Sequence, residues 1–449
     1  MSTERKLTEY YFNKCLFLGD NGLIFFFVQK ILLKFKSNVR VLCLNKCILS
    51  DDQLCCLLRF VPEIKKLALI NCRIKLSSTL IVDFTLKKLS SIDFSETRCF
   101  GSQVDRKSNN LIKSILQSLT VNSTIRKVTA CGHVAKYFPL NQTRLTHLKL
   151  ESVTPADIRI GDLFYQQYQL ASLDLSNCFI MNDVLLSIKN NLNDLKTLKI
   201  KAEGIVSSGF SIIERMNLEE FGLVVGKEKW ALNALTSFNF RKIRKVYISI
   251  QDLIITPRCC ESLLKNMKNM ESLHIVTNML DIISIIFRTA GLRCSLLHCI
   301  IEFVNVDKLK HIPEVETNLN RANIIEEFKI VNTSKRLAKR LDFSFLKSFL
   351  NIRKLVINGF FINDDLLILA FEHHYKLEEL TICGWKNMDQ DFIFDVSENS
   401  MMEYLLHEYG RKLKRLEIDC IRFILSGNYI KSKFPVINRN DPSLIFRYR

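Results

Sequence analysis

Leu170-Ala171-Ser172-Leu173-Asp174-Leu175-Ser176-Asn177-Cys178 carries leucine at its first, fourth and sixth places and ends on a cysteine. From Leu173 to Ser176 apolar and polar residues alternate, the two-residue period of a strand with one buried face. Close variants run from Val39 to Cys47, Ile64 to Cys72, Leu195 to Ile200, Ile352 to Ile357 and Leu377 to Ile382. With the middle apolar residue as position 0, the phrase occurs sixteen times. Position 0 falls at Tyr10, Leu42, Leu67, Ile92, Val128, Leu148, Leu173, Leu198, Phe221, Val246, Leu273, Cys299, Phe328, Leu355, Leu380 and Leu416. The intervals centre on 25 residues, with two of 36. Such a period marks stacked units, each of which buries its apolar face only against its neighbours.

Between strands the pattern changes. Asp51 and Asp52 stand where a helix N-cap is expected, and Leu54, Leu57, Leu58 and Val61 follow at helical spacing before Pro62. Asp183 to Ile188 and Asp364 to Leu369 repeat this strand–turn–cap–helix order. Parallel strands lying side by side with wider helices outside must bend, which predicts an α/β solenoid with its strands on a concave wall. It is expected to occupy residues 1–425, followed by a basic tail or cap over 426–449.

Cys178-Phe179-Ile180-Met181-Asn182-Asp183, and Cys47 with Asp52, resemble the cysteine-containing class of leucine-rich repeats. That class is typical of F-box/leucine-rich-repeat proteins, the substrate-recognition subunits of ubiquitin ligases. The resemblance implies a right-handed horseshoe and non-catalytic protein recognition. Two departures stand out. Residues 1–38 show no F-box and already hold a repeat, and Thr97, Glu203 and Gly359 stand near the cysteine's place in other copies.

Composition narrows the function. The 15 cysteines are odd in number and scattered, and Cys15, Cys47, Cys72 and Cys178 sit at repeat ends, as small buried hydrophobes do. A reducing compartment, cytoplasmic or nuclear, is expected. The longest early apolar run, Leu23 to Val28, is far below the roughly 20 residues of a membrane span. No phosphate loop, nucleophile elbow or zinc-protease motif appears, so neither catalysis nor a cofactor nor a small-molecule substrate is expected. Cys294, His298 and Cys299 lie close together, but Cys299 holds an apolar strand position and no second pair completes four ligands. His373-His374 reads as a surface pair in a helical segment. Glu4 to Tyr11 resembles the peptide that grips a sliding clamp, yet Leu7 to Cys15 aligns position for position with Val39 to Cys47, so a strand is expected.

The residues flanking position 0 face outward and are the candidate site. Lys127, His147, Lys149, Lys199, Lys201, Lys245, Tyr247 and His274 form a basic, aromatic wall suited to a protein partner with an acidic surface. The net charge of +18, from 64 basic against 46 acidic residues, makes nucleic acid the second choice of partner. The overlong repeat over 385–400, which carries Trp385 among acidic residues, is a further candidate binding element.

Overall fold

The computed structural model describes residues 9–13, 22–35, 39–75, 86–100, 125–132, 145–153, 164–226, 242–250, 257–286, 295–306, 324–334, 341–384, 394–395 and 415–419, apart from a few positions inside these ranges. The chain forms two compact units, Met1–Leu218 and Glu219–Arg449.

The first unit lays down a parallel sheet in the order β1 (Glu9–Asn13), β2 (Val41–Asn45), β4 (Lys66–Ile70), β6 (Ser91–Phe94), β8 (Lys127–Cys131), β9 (His147–Glu151), β10 (Ser172–Asn177) and β11 (Thr197–Lys201). The second does the same with β12 (Glu220–Val225), β13 (Lys245–Ile250), β14 (Ser272–Thr277), β15 (His298–Phe303), β16 (Glu327–Asn332), β17 (Lys354–Phe360), β19 (Glu379–Gly384) and β21 (Arg415–Asp419). A smaller parallel sheet joins β3 (Ile48–Ser50), β5 (Arg73–Lys75) and β7 (Arg98–Phe100), and β18 (Ile362–Asn363) pairs with β20 (Phe394–Asp395). Among the described residues the α-helices are α1 (Gly22–Phe35), α2 (Asp51–Arg59), α3 (Asn182–Asn191), α4 (Ser207–Glu214) and α5 (Pro257–Asn266).

Every position 0 lies on a main-sheet strand, and neighbouring strands pair position 0 with position 0. Tyr10 aligns with Leu42, Leu42 with Leu67, and so on to Leu198; Phe221 begins a second run that ends at Leu416. The reason is burial. Leu173, Leu175, Leu198 and Ile200 at positions 0 and +2 are wholly buried, worth about 1.5–3 kcal/mol each. A one-residue slip would turn that set outward.

Two backbone devices join the repeats. At the start of most main-sheet strands among the described residues, the carbonyl at position −2 accepts two N–H groups from the next repeat. Arg40 serves Lys65 and Lys66, Ala171 serves Lys196 and Thr197, and Arg353 serves Glu378 and Glu379. At the strand's end the chain turns through a left-handed residue at position +4: Lys46, Asn71, Glu96 and Ser152 in the first unit, Gly359 in the second. A Cβ on Gly359 would lie 2.0 Å from the Asn332 carbonyl oxygen, so only glycine fits there.

The cysteines close these turns. Cys47, Cys72 and Cys178 at position +5 are buried, and each Sγ–H donates to the position +2 carbonyl of the preceding repeat: Phe12 at 3.6 Å, Leu44 at 3.2 Å and Leu150 at 3.1 Å. Thr97 stands in the same place and its hydroxyl donates to Leu69 in the same way. In the second unit Asn332 supplies the link. Its amide donates to the carbonyls of Ser334 at 2.8 Å and Gly359 at 2.7 Å, and its oxygen accepts the Ser334 N–H. Beside it, Phe328, Phe343, Phe349 and Phe360 pack together, with Phe328 and Phe349 at 4.9 Å and Phe343 and Phe360 edge-on at 5.2 Å.

Three local expectations are corrected. The N-cap of α2 is Ser50, which forms a reciprocal capping box with Gln53; Asp51 and Asp52 lie in the first turn. Met181 holds the cap position of α3, and Asp183 accepts the Val184 N–H from inside the helix. His374 is buried outside any helix, in the turn before β19, where its Nδ1 meets the Phe349 carbonyl at 2.7 Å. Tyr10 lies in β1, as the alignment of the first phrase predicts.

Candidate functional site

From β6 onward the strands of the first unit alternate buried and partly exposed residues, so one face of its sheet is open. Lys127 and His147 are register partners at position −1, and Lys149, Asp174 and Lys199 follow one another at position +1. Lys201 lies at position +3 of β11. The structure therefore brings five of the predicted residues onto one face.

Their charge differs from the expected bare basic wall. Lys149 is paired with Glu151 at 2.7 Å, and Lys201 is paired with Glu203. Partial burial alone would lower the Lys149 ammonium's pKa, but the Glu151 hydrogen bond and the charges of Glu151, Asp174 and Asp93 outweigh it and hold the pKa above its ordinary value. Asp174 in turn accepts the Ser176 N–H at 3.0 Å and hydroxyl at 2.6 Å, and Asp93 takes Ser95 likewise. The centre of this face is a charge-balanced lattice, in which Glu151 and Glu203 pair with lysines two residues away along the chain and Asp93 and Asp174 add their charges across strands.

Lys245, Tyr247 and His274 belong to the second unit. Lys245 starts β13, and the Tyr247 and His274 rings meet edge to face at 4.9 Å across the β13–β14 pair. His274 Nε2 lies 3.5 Å from a Glu302 oxygen one strand further on. The three groups form a polar-aromatic cluster suited to a partner that offers both apolar contact and hydrogen bonds. Trp385 and, apart from Phe394 and Asp395 of β20, the 385–400 insertion lie outside the described residues, as do Cys294 and the 426–449 tail. Cys299 is buried on β15, where burial pushes its thiol up to about 12, while His298 pairs outward with Glu327 at 3.1 Å. These two are not turned toward a common ion.

Reading the residues beside position 0 missed a second surface. Along the strand-start edge of the first unit, positions −2 and −1 hold Arg40, Lys65, Lys66, Arg126, Lys127 and Lys196. Lys65, Lys66, Arg126, Lys127 and Lys196 are exposed. The turn ahead of β6 adds Lys87 and Lys88, whose counterpart ahead of β10 is the exposed Tyr168. Glu63 lies among them and is held by Lys88 and Arg40, which keep its carboxyl below the usual range. Position −2 read as a column shows this row in the sequence. His147 at the same edge has its pKa lowered by desolvation and by the Lys127 charge.

Among the described residues no group of three or more His, Cys, Asp and Glu could hold a metal ion, and no helix is long and apolar enough to cross a membrane. No protein-family model matches the chain, and no curated protein is significantly similar to it.

Proposed function

We propose that this protein is a non-catalytic binding scaffold that holds a protein partner on the open faces of its parallel sheets. The observation that carries this reading is the in-phase pairing of position 0 with position 0 along each unit, shifted only locally after Asp174 and after Asn358 among the described pairs, which lines up partly exposed side chains in rows. Such rows suit an extended surface, whereas a catalytic site needs a few convergent groups. In this reading each unit is an arc of a right-handed leucine-rich-repeat horseshoe, with strands on the inner wall and helices outside. The compartment is cytoplasmic or nuclear. The partner's acidic groups meet Lys127 and Lys199, and its apolar groups meet Tyr247 and His274. The likeness to F-box/leucine-rich-repeat chains makes substrate recognition for a ubiquitin ligase the form this scaffold takes.

Affinity capture with the full chain tests both levels. Discrete protein partners that are lost from a Tyr247→Ala/His274→Ala variant support the scaffold. Capture that is unchanged by those substitutions removes the assignment to this face. A Skp1-type adaptor in the eluate supports the ligase reading, and partners without one remove it while leaving the scaffold.

A further inference from the structure

We propose that the strand-start edge of the first unit binds the sugar-phosphate backbone of single-stranded nucleic acid, with Lys127 at position −1 bordering both this edge and the open face. Seven neighbouring strands, β2 to β11 of the main sheet, line this edge. At the usual spacing of about 4.8 Å they span about 29 Å, a length that suits several nucleotides.

Charge is the first argument. Basic side chains recur at or just before the starts of β2, β4, β8 and β11 and in the turn ahead of β6, against the carboxylates Glu63 and Asp194. Glu63 is already shared by Arg40 and Lys88. A repeating row of cations complements a repeating row of phosphates, and counterion release then drives binding. The same edge of the second unit serves as an internal contrast. There acid and base alternate and pair: Arg244 with Glu271 at 3.7 Å, His298 with Glu327 at 3.1 Å and Lys354 with Glu379 at 3.7 Å. Packing the same fold therefore does not require one sign of charge.

The aromatic group is the second argument. Tyr168 takes the place in its turn that Lys87 takes ahead of β6; in both turns the N–H three before position 0 bonds the carbonyl six before it. More than half of the Tyr168 side chain is exposed, between the Arg126–Lys127 pair and Lys196 along the edge. A base stacks on such a ring whatever its identity. An acidic polypeptide would bring apolar side chains as well, and positions −2 and −1 of β2 to β11 offer only Val41 and Ala171 to receive them.

The test is fluorescence anisotropy of the full chain with a labelled 20-nucleotide oligo-dT at several salt concentrations. The edge variant Lys65→Glu/Lys66→Glu/Lys127→Glu should lower affinity more than tenfold at low salt and reduce the slope of log K against log salt by about 2. Lys189→Glu/Lys329→Glu/Lys347→Glu changes the net charge equally and should leave most of the binding. Tyr168→Ala should weaken binding about tenfold, and Tyr168→Phe should restore it. The Lys→Gln form of the edge variant repeats the measurement with less charge repulsion, should the Glu form fold poorly. The proposal is overturned by no binding at low salt, by equal losses in the two triple variants, by tighter binding of a duplex, or by equal displacement with polyglutamate.

Discussion

The two units share one backbone plan and carry it out with different side chains. Where the first unit closes its repeats with thiols and one hydroxyl that reach back to the preceding carbonyl, the second uses the Asn332–Gly359 clamp and a packed group of phenylalanines. Where the first lines its strand-start edge with one sign of charge, the second alternates signs and pairs them. The turn that precedes a strand shows the same divergence. Gln167 before β10 is buried and accepts the Leu145 N–H at 3.3 Å, and His374 fills the equivalent place before β19. The position takes either a buried apolar group, as Val61, Leu86, Leu192 and Phe349 do, or a buried polar one that bonds the previous repeat. It does not demand a particular one, and each choice brings its own sensitivity.

Gly359 offers the strongest way to break the comparison. Gly359→Ala forces a Cβ against the Asn332 carbonyl at 2.0 Å and strains a φ of 81°, so chemical unfolding should show a loss of about 4 kcal/mol in the second unit. Gly204→Ala in the first unit should lose less, because its Cβ would meet the Ile180 oxygen at 2.5 Å and, beyond it, the Phe179 ring, which can move. Equal losses would mean that the clamp has no special weight.

Acid separates the units next. Burial first, with His373's charge adding to it, lowers the His374 pKa to about 4 from 6.5, although the Phe349 carbonyl opposes the shift. Its Nε2 is buried without a hydrogen-bond partner among the described residues, so the folded state resists the second proton. The unfolded chain takes up that proton below pH 6.5. Stability should therefore fall as pH drops from about 6.5 to about 4, by about 3 kcal/mol at most. Denaturant titrations across that range should show the fall, and His374→Gln, which copies the first unit's choice, should remove it. A variant that keeps the same slope would assign the acid sensitivity elsewhere.

Smaller effects sharpen the picture of the turns. Cys178→Ala should lose about 2 kcal/mol, from packing and from the donor to Leu150, and Cys178→Ser should lose about half as much because a hydroxyl can donate as Thr97 does. Identical losses would show that the thiol acts by volume alone. The smallest change is expected on the open face: Lys201→Gln, which removes an exposed pair with Glu203, should move stability by less than about 1 kcal/mol.

The sixteen strand centres were legible because each repeats a local alternation, and burial of Leu or Ile at positions 0 and +2 leaves one register. The burial of cysteine at position +5 was legible for the same reason, but its bond to the preceding repeat was not, and Thr97, which makes the same bond, read only as a missing cysteine. The cap of α2 was not, because Asp51 and Ser50 are both good caps in isolation and only Gln53's reach back to the Ser50 N–H decides between them. The charge state of the candidate wall was hidden more deeply. Glu151 sits two residues from Lys149 along the chain, but the carboxylates of Asp93 and Asp174 come to it only across strands. The exposed edge at position −2 could be read only once every repeat was held in one phase.

The doubled carbonyl at the start of most strands gives the chain a direction of assembly. In every such link the acceptor belongs to the earlier repeat and both donors to the later one: Arg40 before Lys65 and Lys66, Thr146 before Ala171 and Ser172, Glu326 before Arg353 and Lys354. A growing polypeptide thus leaves the ribosome with its docking group already in place for the segment that follows. The turns run the other way, since the N–H groups of Lys46, Asn71 and Ser152 wait for carbonyls of the next repeat. A chain halted between repeats keeps satisfied strand starts, while the outer edge of its last strand, the carbonyl at position −2 and the donor at its last turn all stand open for the next 25 or so residues to pair.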